Sequence, residues 1–141
     1  MRVRELPYYF FRGLKIKHEY AYGSYRDIIE DYKWYLWGNK IAEFKPVEGI
    51  LILDDCGYKT PTTYSRLRYI LEHIRLPIYI GFSKNKMYVR DWEANQTLYD
   101  PRGKLIVDLS ENVIKLASGT VYNYYTKEIM NVATSTVLDI G

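Results

Sequence analysis

Several common signals of chemistry and location are missing from the 141 residues. Cys56 is the sole cysteine, which excludes an intramolecular disulfide and a metal site built of cysteines alone. The first residues lack the apolar run of a signal peptide, and no stretch reaches the ~18 apolar residues that span a membrane. These absences predict a soluble, cytoplasmic protein without a membrane partner.

Motifs of the common enzyme classes are also absent. The chain has no GxGxxG, no phosphate-binding P-loop and no GxSxG, and its two histidines are His18 and His73. Cys56 and His73 are conceivable as a nucleophile and its base. However, His73 falls on the polar side of a predicted helix and Cys56 at a strand end, so a structural role is favoured for both. We therefore predict no catalytic residue, no metal and no cofactor.

One loose pattern is typical of metal-dependent nucleases. Asp31 is followed by Glu43 and Lys45, which gives an acid, then an acid and a lysine two residues apart. In such sites two carboxylates hold Mg²⁺ and the lysine orients the attacking water. Asp54 and Asp55 could add ligands, although acidic residues that close a strand before a turn are common. Because such spacing often arises by chance, a nuclease is the least favoured alternative.

Tyrosine and local positive charge are present in excess. Sixteen tyrosines outnumber four phenylalanines and three tryptophans, and a tyrosine ring packs like an apolar group while its hydroxyl meets water or a partner. Residues 56–90 have seven basic side chains and one acidic one, whereas residues 1–55 have nine of each. A basic block of this kind indicates either an anionic partner or a solvated surface.

The first half of the chain is predicted to be mostly strand. Apolar runs, glycines and prolines set the boundaries of the elements. The predicted elements are an extended segment at 8–17, a helix at 25–32 capped by Ser24, a hairpin of 33–37 and 40–45 around Gly38-Asn39, and a buried strand at 50–53.

The clearest predicted element is a helix over residues 61–74. Thr60 is predicted to cap it and Pro61 to be its first residue. Apolar residues spaced by three and four form a stripe on one side, and polar residues line the other. The stripe consists of Leu67, Ile70, Leu71 and Ile74, and the polar side of Thr62, Arg66, Tyr69 and His73.

A second hairpin is predicted after this helix. With Lys84-Asn85 as its turn, Phe82 pairs with Met87, and the apolar side chains of both strands fall on one face. The remaining predictions are strands at 97–99 and 105–109, a strand or a short helix at 113–117, an extended segment at 121–125, a helix at 127–133, and an extended or frayed end.

The element order predicts one α+β domain over residues 1–141. Its core has the order β-β-β-α-β-β, in which a small twisted antiparallel sheet packs on the helix of residues 61–74. One helix covers only one face of such a sheet. The other face is therefore expected to meet the chain ends, water or a partner.

Residues 35–100 resemble a group of small bacteriophage proteins. The shared pattern is a glycine, an aromatic, a basic residue, a threonine-rich cap and a basic–apolar pair. The matching segments are Gly38 to Ala42, Gly57-Tyr58-Lys59-Thr60-Pro61-Thr62-Thr63 with Arg66-Leu67, and the hairpin from Ile78-Tyr79 to Met87-Tyr88-Val89. The resemblance implies a viral or provirus origin and a non-essential accessory role, and with such an origin the predicted cytoplasm is that of a host cell. It carries over no catalytic residue, since the group has no established activity.

The basic and aromatic residues of the central third form the candidate site. Hydroxyls and a lysine at a helix start suit a phosphate, and the rings and cations of a hairpin suit bases. Nucleic-acid binding is thus the favoured function. A protein-interaction module, as a virion component or an inhibitor of a host defence protein, is the alternative; the oligomeric state is open. The predicted nucleic-acid site consists of Lys59, Thr60, Thr62, Arg66, Arg68, Tyr79, Lys86, Tyr88 and Arg90.

Overall fold

The computed structural model describes residues 2–131, which form twelve strands and two short helices. The helices are α1 (Leu6–Arg12), which follows a 3₁₀ turn at Val3–Glu5, and α2 (Pro61–His73). The strands are β1 (Ile16–Ala21), β2 (Ser24–Glu30), β3 (Lys33–Leu36), β4 (Asn39–Lys45), β5 (Ile50–Asp54), β6 (Ile78–Ser83), β7 (Lys86–Asp91), β8 (Gln96–Asp100), β9 (Lys104–Asp108), β10 (Val113–Leu116), β11 (Thr120–Asn123) and β12 (Ile129–Asn131).

The strands form two antiparallel sheets. The large sheet has nine strands in the order β1-β2-β3-β4-β5-β9-β10-β11-β12, and the small sheet has three in the order β6-β7-β8. Because β5 pairs with β9, α2 and the small sheet are an insertion between two neighbouring strands of the large sheet. The fold is mainly β, and the prediction of an α+β fold built on one main helix is wrong.

The fold class was predicted wrongly because it depends on strand pairings between residues that are distant in sequence. The predicted order of three strands, a helix and two strands is present from β3 to β7, but the strands before and after α2 lie in different sheets. Ile50 pairs with Asp108, and Asp54 with Lys104. Periodicity reports which face of a strand is buried but not which strand lies beside it.

The segment predicted to be extended at 8–17 begins inside α1. Leu6 and Phe10 are spaced by four residues and are both fully buried, which is the spacing of a helix face. Gly13 has a φ of 69° and donates its N–H to the carbonyls of Phe10 and Tyr9, so it ends the helix in the left-handed conformation that favours glycine. The run of four aromatic residues obscured this helix because it has no apolar periodicity.

The helix predicted after Ser24 is instead strand β2. Its burial alternates, with Asp27 and Ile29 buried between more exposed neighbours, as expected for side chains that point to opposite faces of a sheet. Asp31 and Tyr32 have φ values of 51° and 62° and form the two-residue turn into β3. Positive φ at both positions matches the twist of a hairpin.

The start of α2 and the second hairpin are confirmed as predicted. Thr60 caps α2, because its Oγ1 accepts a hydrogen bond from the backbone N–H of Thr63 at 3.2 Å, and Pro61 is the first helical residue. The β6–β7 hairpin has the predicted turn and register, with Phe82 opposite Met87. The hairpin predicted at 33–45 is also present as β3 and β4.

The turn of the β3–β4 hairpin lies one residue earlier than predicted. Leu36 pairs with Asn39, so Trp37 and Gly38 are the central residues, with φ values of 51° and 81°. This is the type I′ arrangement, in which glycine takes the second central position. The ring of Trp37 is thereby carried at the exposed tip of the hairpin.

The C-terminal predictions are confirmed in part. The strands at 97–99 and 105–109 correspond to β8 and β9. The strand alternative for 113–117 is confirmed by β10, and the extended segment by β11. The helix predicted over 127–133 is wrong at β12; its last residues and the predicted extended or frayed end lie outside the described residues.

Buried side chains of both helices and both sheets form one hydrophobic cluster. Leu67 and Ile70, of the apolar stripe of α2, belong to it, as do Ile80 and Val89 of the small sheet. The apolar face of the small sheet is therefore the inner one, turned toward α2 and the core. Its other face, called the outer face below, carries the alternate residues of the same strands.

Candidate functional site

The nine residues predicted as a binding site do not share one face. Lys59, Thr60 and Thr62 lie at the start of α2, and Arg66 is inside the protein. The other five lie on the outer face of the small sheet or beside it on α2 and are Arg68, Tyr79, Lys86, Tyr88 and Arg90.

Arg66 is buried, with 5% of its side chain exposed, so its predicted place on an exposed polar side of the helix is wrong. Its Nε and Nη2 donate to the two carboxylate oxygens of Asp27 at 3.0 and 2.9 Å. Asp27 comes from β2, and a charge in the interior requires a partner of opposite charge and filled hydrogen bonds. A guanidinium held in this way is not available to a nucleic acid.

Asp27 joins α2 to the first strands of the large sheet. Burial opposes its charged form, but the hydrogen bonds from Arg66 and from Trp34, at 2.9 Å, outweigh burial and hold the pKa of Asp27 below its ordinary value. The Nε of Arg26 and the Nδ1 of His18 lie 3.6 and 3.7 Å from the same carboxylate. The role of this cluster is structural.

Lys59 and Thr60 serve the loop that leads into α2. The Nζ of Lys59 lies 3.1 Å from the Oδ2 of Asp55, and the hydroxyl of Tyr64 donates to the same oxygen at 2.6 Å. The hydroxyl of Thr60 is occupied as the helix cap. A phosphate at this position would compete with a buried carboxylate for the lysine, so both residues are already engaged within the protein.

Three tyrosine rings cross the outer face of the small sheet, one on each strand. We call Tyr79, Tyr88 and Tyr99 the tyrosine row. The ring centroids of Tyr79 and Tyr88 are 6.1 Å apart and those of Tyr88 and Tyr99 are 6.2 Å apart, with Tyr79 40% and Tyr99 59% exposed. Gly81 makes room for the middle ring, because a Cβ atom at that position would lie 2.6 Å from the Oη of Tyr88.

Positive side chains border the tyrosine row. The guanidinium of Arg68, on α2, lies 5.4 Å from the centroid of the Tyr79 ring. Lys86 is exposed beside the β6–β7 turn. Arg90 donates to the hydroxyl of Thr97 at 3.0 Å and to the side-chain oxygen of Asn95. Both acceptors are neutral, so they orient Arg90 without cancelling its charge.

The acidic residues of the small sheet are turned away from this surface. Asp91 and Asp100 are buried on the inner side. Tyr122 and Lys127 hydrogen-bond to Asp91, at 2.5 and 2.8 Å. Glu93, on the turn after β7, pairs with Lys127 at 2.9 Å. The outer face therefore combines rings with uncompensated positive charge.

The ring at the centre of the row is uncharged at neutral pH. Burial, followed by the neighbouring Tyr79, raises the pKa of Tyr88 above its ordinary value, which is already well above neutrality. A neutral ring next to cations presents no negative charge to a polyanion. It offers instead a flat apolar surface with a hydroxyl at one end.

Tyr99 is the member of the row that the sequence analysis did not include. It lies directly opposite Tyr88, and Leu98 lies opposite Val89. Its strand was predicted, but no partner strand was assigned to it. Once β8 is paired with β7, the alternation of side chains places Leu98 inward and Tyr99 outward, so the missing information was the pairing.

Apart from the tyrosine row, the structure has a concave region of about 420 Å³ between the start of α2 and the β3–β4 turn. Its floor is apolar and consists of Leu36 and Ile41, which are buried. Trp37 and Tyr58 border it and are 53% and 54% exposed. The remaining lining comes from Asn39 and from the threonines Thr60, Thr62 and Thr63, of which the first two belong to the predicted site.

Cys56 and His73 are not brought together. Cys56 precedes α2 and His73 is its last residue, and a helix of thirteen residues spans about 20 Å. Burial, followed by the charges of Asp54 and Asp55, raises the pKa of the Cys56 thiol, which disfavours the reactive thiolate. The His73 ring stacks on Phe11 with 5.5 Å between centroids. The conceivable nucleophile pair is absent.

The nuclease-like residues are paired with lysines. Asp31 lies 3.4 Å from the Nζ of Lys33, and Glu43 lies 2.8 Å from the Nζ of Lys40. Across residues 2–131, no group of three or more His, Cys, Asp or Glu side chains is close enough to hold a metal ion. The pattern that includes Lys45 is therefore not assembled into a metal site in that part of the chain.

Comparison with known proteins gives a match to a protein family. The family model described as Kyanoviridae Gp96 protein matches residues 24–102, more than half of the chain. The matched residues include α2, the tyrosine row and the concave region at the start of α2. No curated protein and no solved structure matches. None of the helices in the described range is long and apolar enough to cross a membrane. The match supports the predicted resemblance to phage proteins, while the motif proposed for that resemblance stays a prediction. The chain belongs to the Kyanoviridae Gp96 protein family, a family of phage proteins.

Proposed function

We propose that this phage protein binds single-stranded nucleic acid on the outer face of the small sheet. The observation that carries the proposal is the tyrosine row, with ring centroids 6.1 and 6.2 Å apart, bordered by Arg68 and Arg90. Every nucleobase has a π-face that stacks on an aromatic ring, and every phosphate is attracted to a cation. Both kinds of group that such a strand requires are next to each other on one surface.

The arrangement favours a single strand over a duplex. Bases stack on protein rings only when they are unpaired and separated from their neighbours, whereas a duplex is read by an element that enters a groove. α2 is poorly suited to that task, because its apolar stripe is in the core and Arg66 is held by Asp27. A broad face of rings remains the better explanation.

A protein partner is the alternative for the same surface, since tyrosine is enriched at protein interfaces. The distribution of charge favours a polyanion. Asp91 and Asp100 are buried and Glu93 is paired with Lys127, so among residues 2–131 the strands of the small sheet present cations but no carboxylate on the outer face. A non-enzymatic accessory role in the phage is consistent with such an activity and is part of the proposal.

Salt dependence tests the proposal by fluorescence anisotropy of labelled oligothymidylate and of a duplex of equal length. We expect the single strand to bind more tightly, with a slope of log K against log salt of about −2, because three cations release about 0.7 counterion each. Lys86→Ala should make the slope less steep by about 0.7, because one cation is lost. The control Lys115→Ala, an exposed lysine of the large sheet, should leave it unchanged. No binding at low salt, or no slope, would favour the protein partner.

A further inference from the structure

We infer that the concave region between the start of α2 and the β3–β4 turn binds one unpaired nucleobase. Its volume of about 420 Å³ lies within the range of small-ligand sites. Leu36 and Ile41 supply a buried apolar floor, and Trp37 and Tyr58 supply two exposed rings at the border. A flat ring that enters would cover apolar floor and aromatic surface at once.

The charge of the lining restricts the ligand to a neutral group. None of the described side chains that line this region is charged. A phosphate or carboxylate that entered would lose its hydration without gaining a partner of opposite charge. The base of a nucleotide meets this condition, while its phosphate would have to remain outside in water.

The polar groups of the lining are few, with Asn39 on the side of the β3–β4 turn and three threonines on the side of α2. The hydroxyl of Thr60 donates to that of Thr63 at 3.0 Å and also accepts from the N–H of Thr63. Within residues 2–131 the hydroxyl of Thr62 has no hydrogen-bond partner, and Asn39 makes only a long contact of 3.5 Å to the Trp37 carbonyl. Two or three hydrogen-bonding groups match the edge of a base. A sugar ring, with a hydroxyl on most of its carbons, would need more.

This inference deepens the proposed function and rests on it only for the source of the base. A base of a strand bound to the tyrosine row and the base of a free nucleoside offer the same ring and the same edge. If the strand is the source, oligothymidylate should perturb this region at lower concentrations than thymidine does. Equal concentrations would identify the free nucleoside, and either result supports recognition of a base.

The test is an NMR titration of the ¹⁵N-labelled protein with each of the four deoxynucleosides, to about 10 mM, because a fragment-sized ligand is expected to bind in the millimolar range. Amide signals of residues 36–41 and of residues 58–63 other than Pro61 should shift. Tyr58→Ala should weaken binding about tenfold or more, because a stacking ring is lost. The matched control Tyr125→Ala, an exposed tyrosine outside this region, should leave the affinity unchanged.

Three outcomes with the parent protein and the single variants would overturn the inference, and a fourth comes from the double variant below. The first three are the absence of shifts in this region with every nucleoside, equal shifts with methyl glucoside, which would indicate a sugar site, and equal weakening by Tyr125→Ala. The double variant Tyr79→Ala/Tyr88→Ala separates this inference from the proposed function. It should bind nucleosides like the parent protein while losing the strand. Loss of nucleoside binding in that variant would assign base recognition to the tyrosine row alone and would leave the proposed function standing.

Discussion

Arg66→Ala is expected to lower the free energy of unfolding by about 3–5 kcal/mol, the cost of leaving one partner of a buried ion pair without the other. The substitution removes the guanidinium that holds both oxygens of Asp27, at 3.0 and 2.9 Å. Trp34 would still donate one hydrogen bond and the Nε of Arg26 would remain 3.6 Å from the carboxylate, but neither replaces the two charged hydrogen bonds of Arg66. Urea unfolding followed by tryptophan fluorescence measures the loss as a lower midpoint at an unchanged slope.

Arg68→Ala is the matched control for this prediction. It makes the same truncation two residues away on α2, but the guanidinium lies at the surface over the ring of Tyr79. A cation–π contact at such a site contributes about 0.5–1 kcal/mol, so the loss of stability should be small. Equal losses for the two variants would contradict the account of Asp27 as a buried carboxylate that depends on Arg66.

Acidification should reduce the difference in free energy of unfolding between the parent protein and Arg66→Ala. In the parent the folded-state pKa of Asp27 is lowered, so its stabilisation is complete above the unfolded pKa and is lost as the pH falls through the folded one. In the variant the carboxyl lacks its main partner and burial favours the protonated form. Protonation of Asp27 therefore removes part of the destabilisation of the variant. A difference in stability that is constant from about pH 7 to about pH 4 would argue against this mechanism.

The double substitution Tyr79→Ala/Tyr88→Ala is expected to weaken binding of oligothymidylate about 30-fold or more. Each stacked base loses about 1–3 kcal/mol when its ring is removed, so two rings account for about 2 kcal/mol at least. Both side chains lie on the outer face, so the core that α2 and the inner face share should remain intact. Anisotropy at fixed salt measures the affinity, and circular dichroism verifies the fold.

Tyr79→Phe/Tyr88→Phe is the informative partner of that variant. It keeps the rings and removes the hydroxyls, so we expect nearly parental affinity if stacking carries the binding. Tyr125→Ala, a truncation of a tyrosine that is exposed elsewhere, should also bind like the parent. If the phenylalanine variant lost as much affinity as the alanine variant, the hydroxyls and not the rings would be the recognition elements.

Elements whose partners are close in sequence were predictable. One choice of turn, Lys84-Asn85, sorted the apolar residues of β6 and β7 onto one face, and the register is confirmed. Thr60 and Pro61 identified the start of α2 through the chemistry of a cap and of a first helical residue. In both cases a few neighbouring residues contain the whole signal.

The large sheet could not be predicted in the same way. Pairing of Ile50 with Asp108 joins residues that are far apart in the chain, and the segment between them contains α2 and the small sheet. Asp27 shows the same difficulty at one residue. As a possible acid in the first turn of a helix it gave no sign that it faces Arg66, 39 residues later.

The candidate site was predictable as far as it depends on alternation along a strand. The predicted hairpin register is confirmed, and it separates Tyr79, Tyr88 and Arg90 from the apolar face. Tyr99 required the pairing of β8 with β7, and Arg66 required knowledge of what covers α2. Helix periodicity identifies a polar side but does not distinguish water from a buried carboxylate as its environment.

Photocrosslinking of a 5-bromouracil-substituted single strand, followed by mass spectrometry of the linked peptides, tests most directly whether bases stack on the tyrosine row. A base in contact with an aromatic ring reacts with it on irradiation, so we predict crosslinks at Tyr79, Tyr88 or Tyr99, suppressed by the double alanine variant. Crosslinks confined to parts of the chain outside β6–β8, or efficient binding without any crosslink to these rings, would contradict the account.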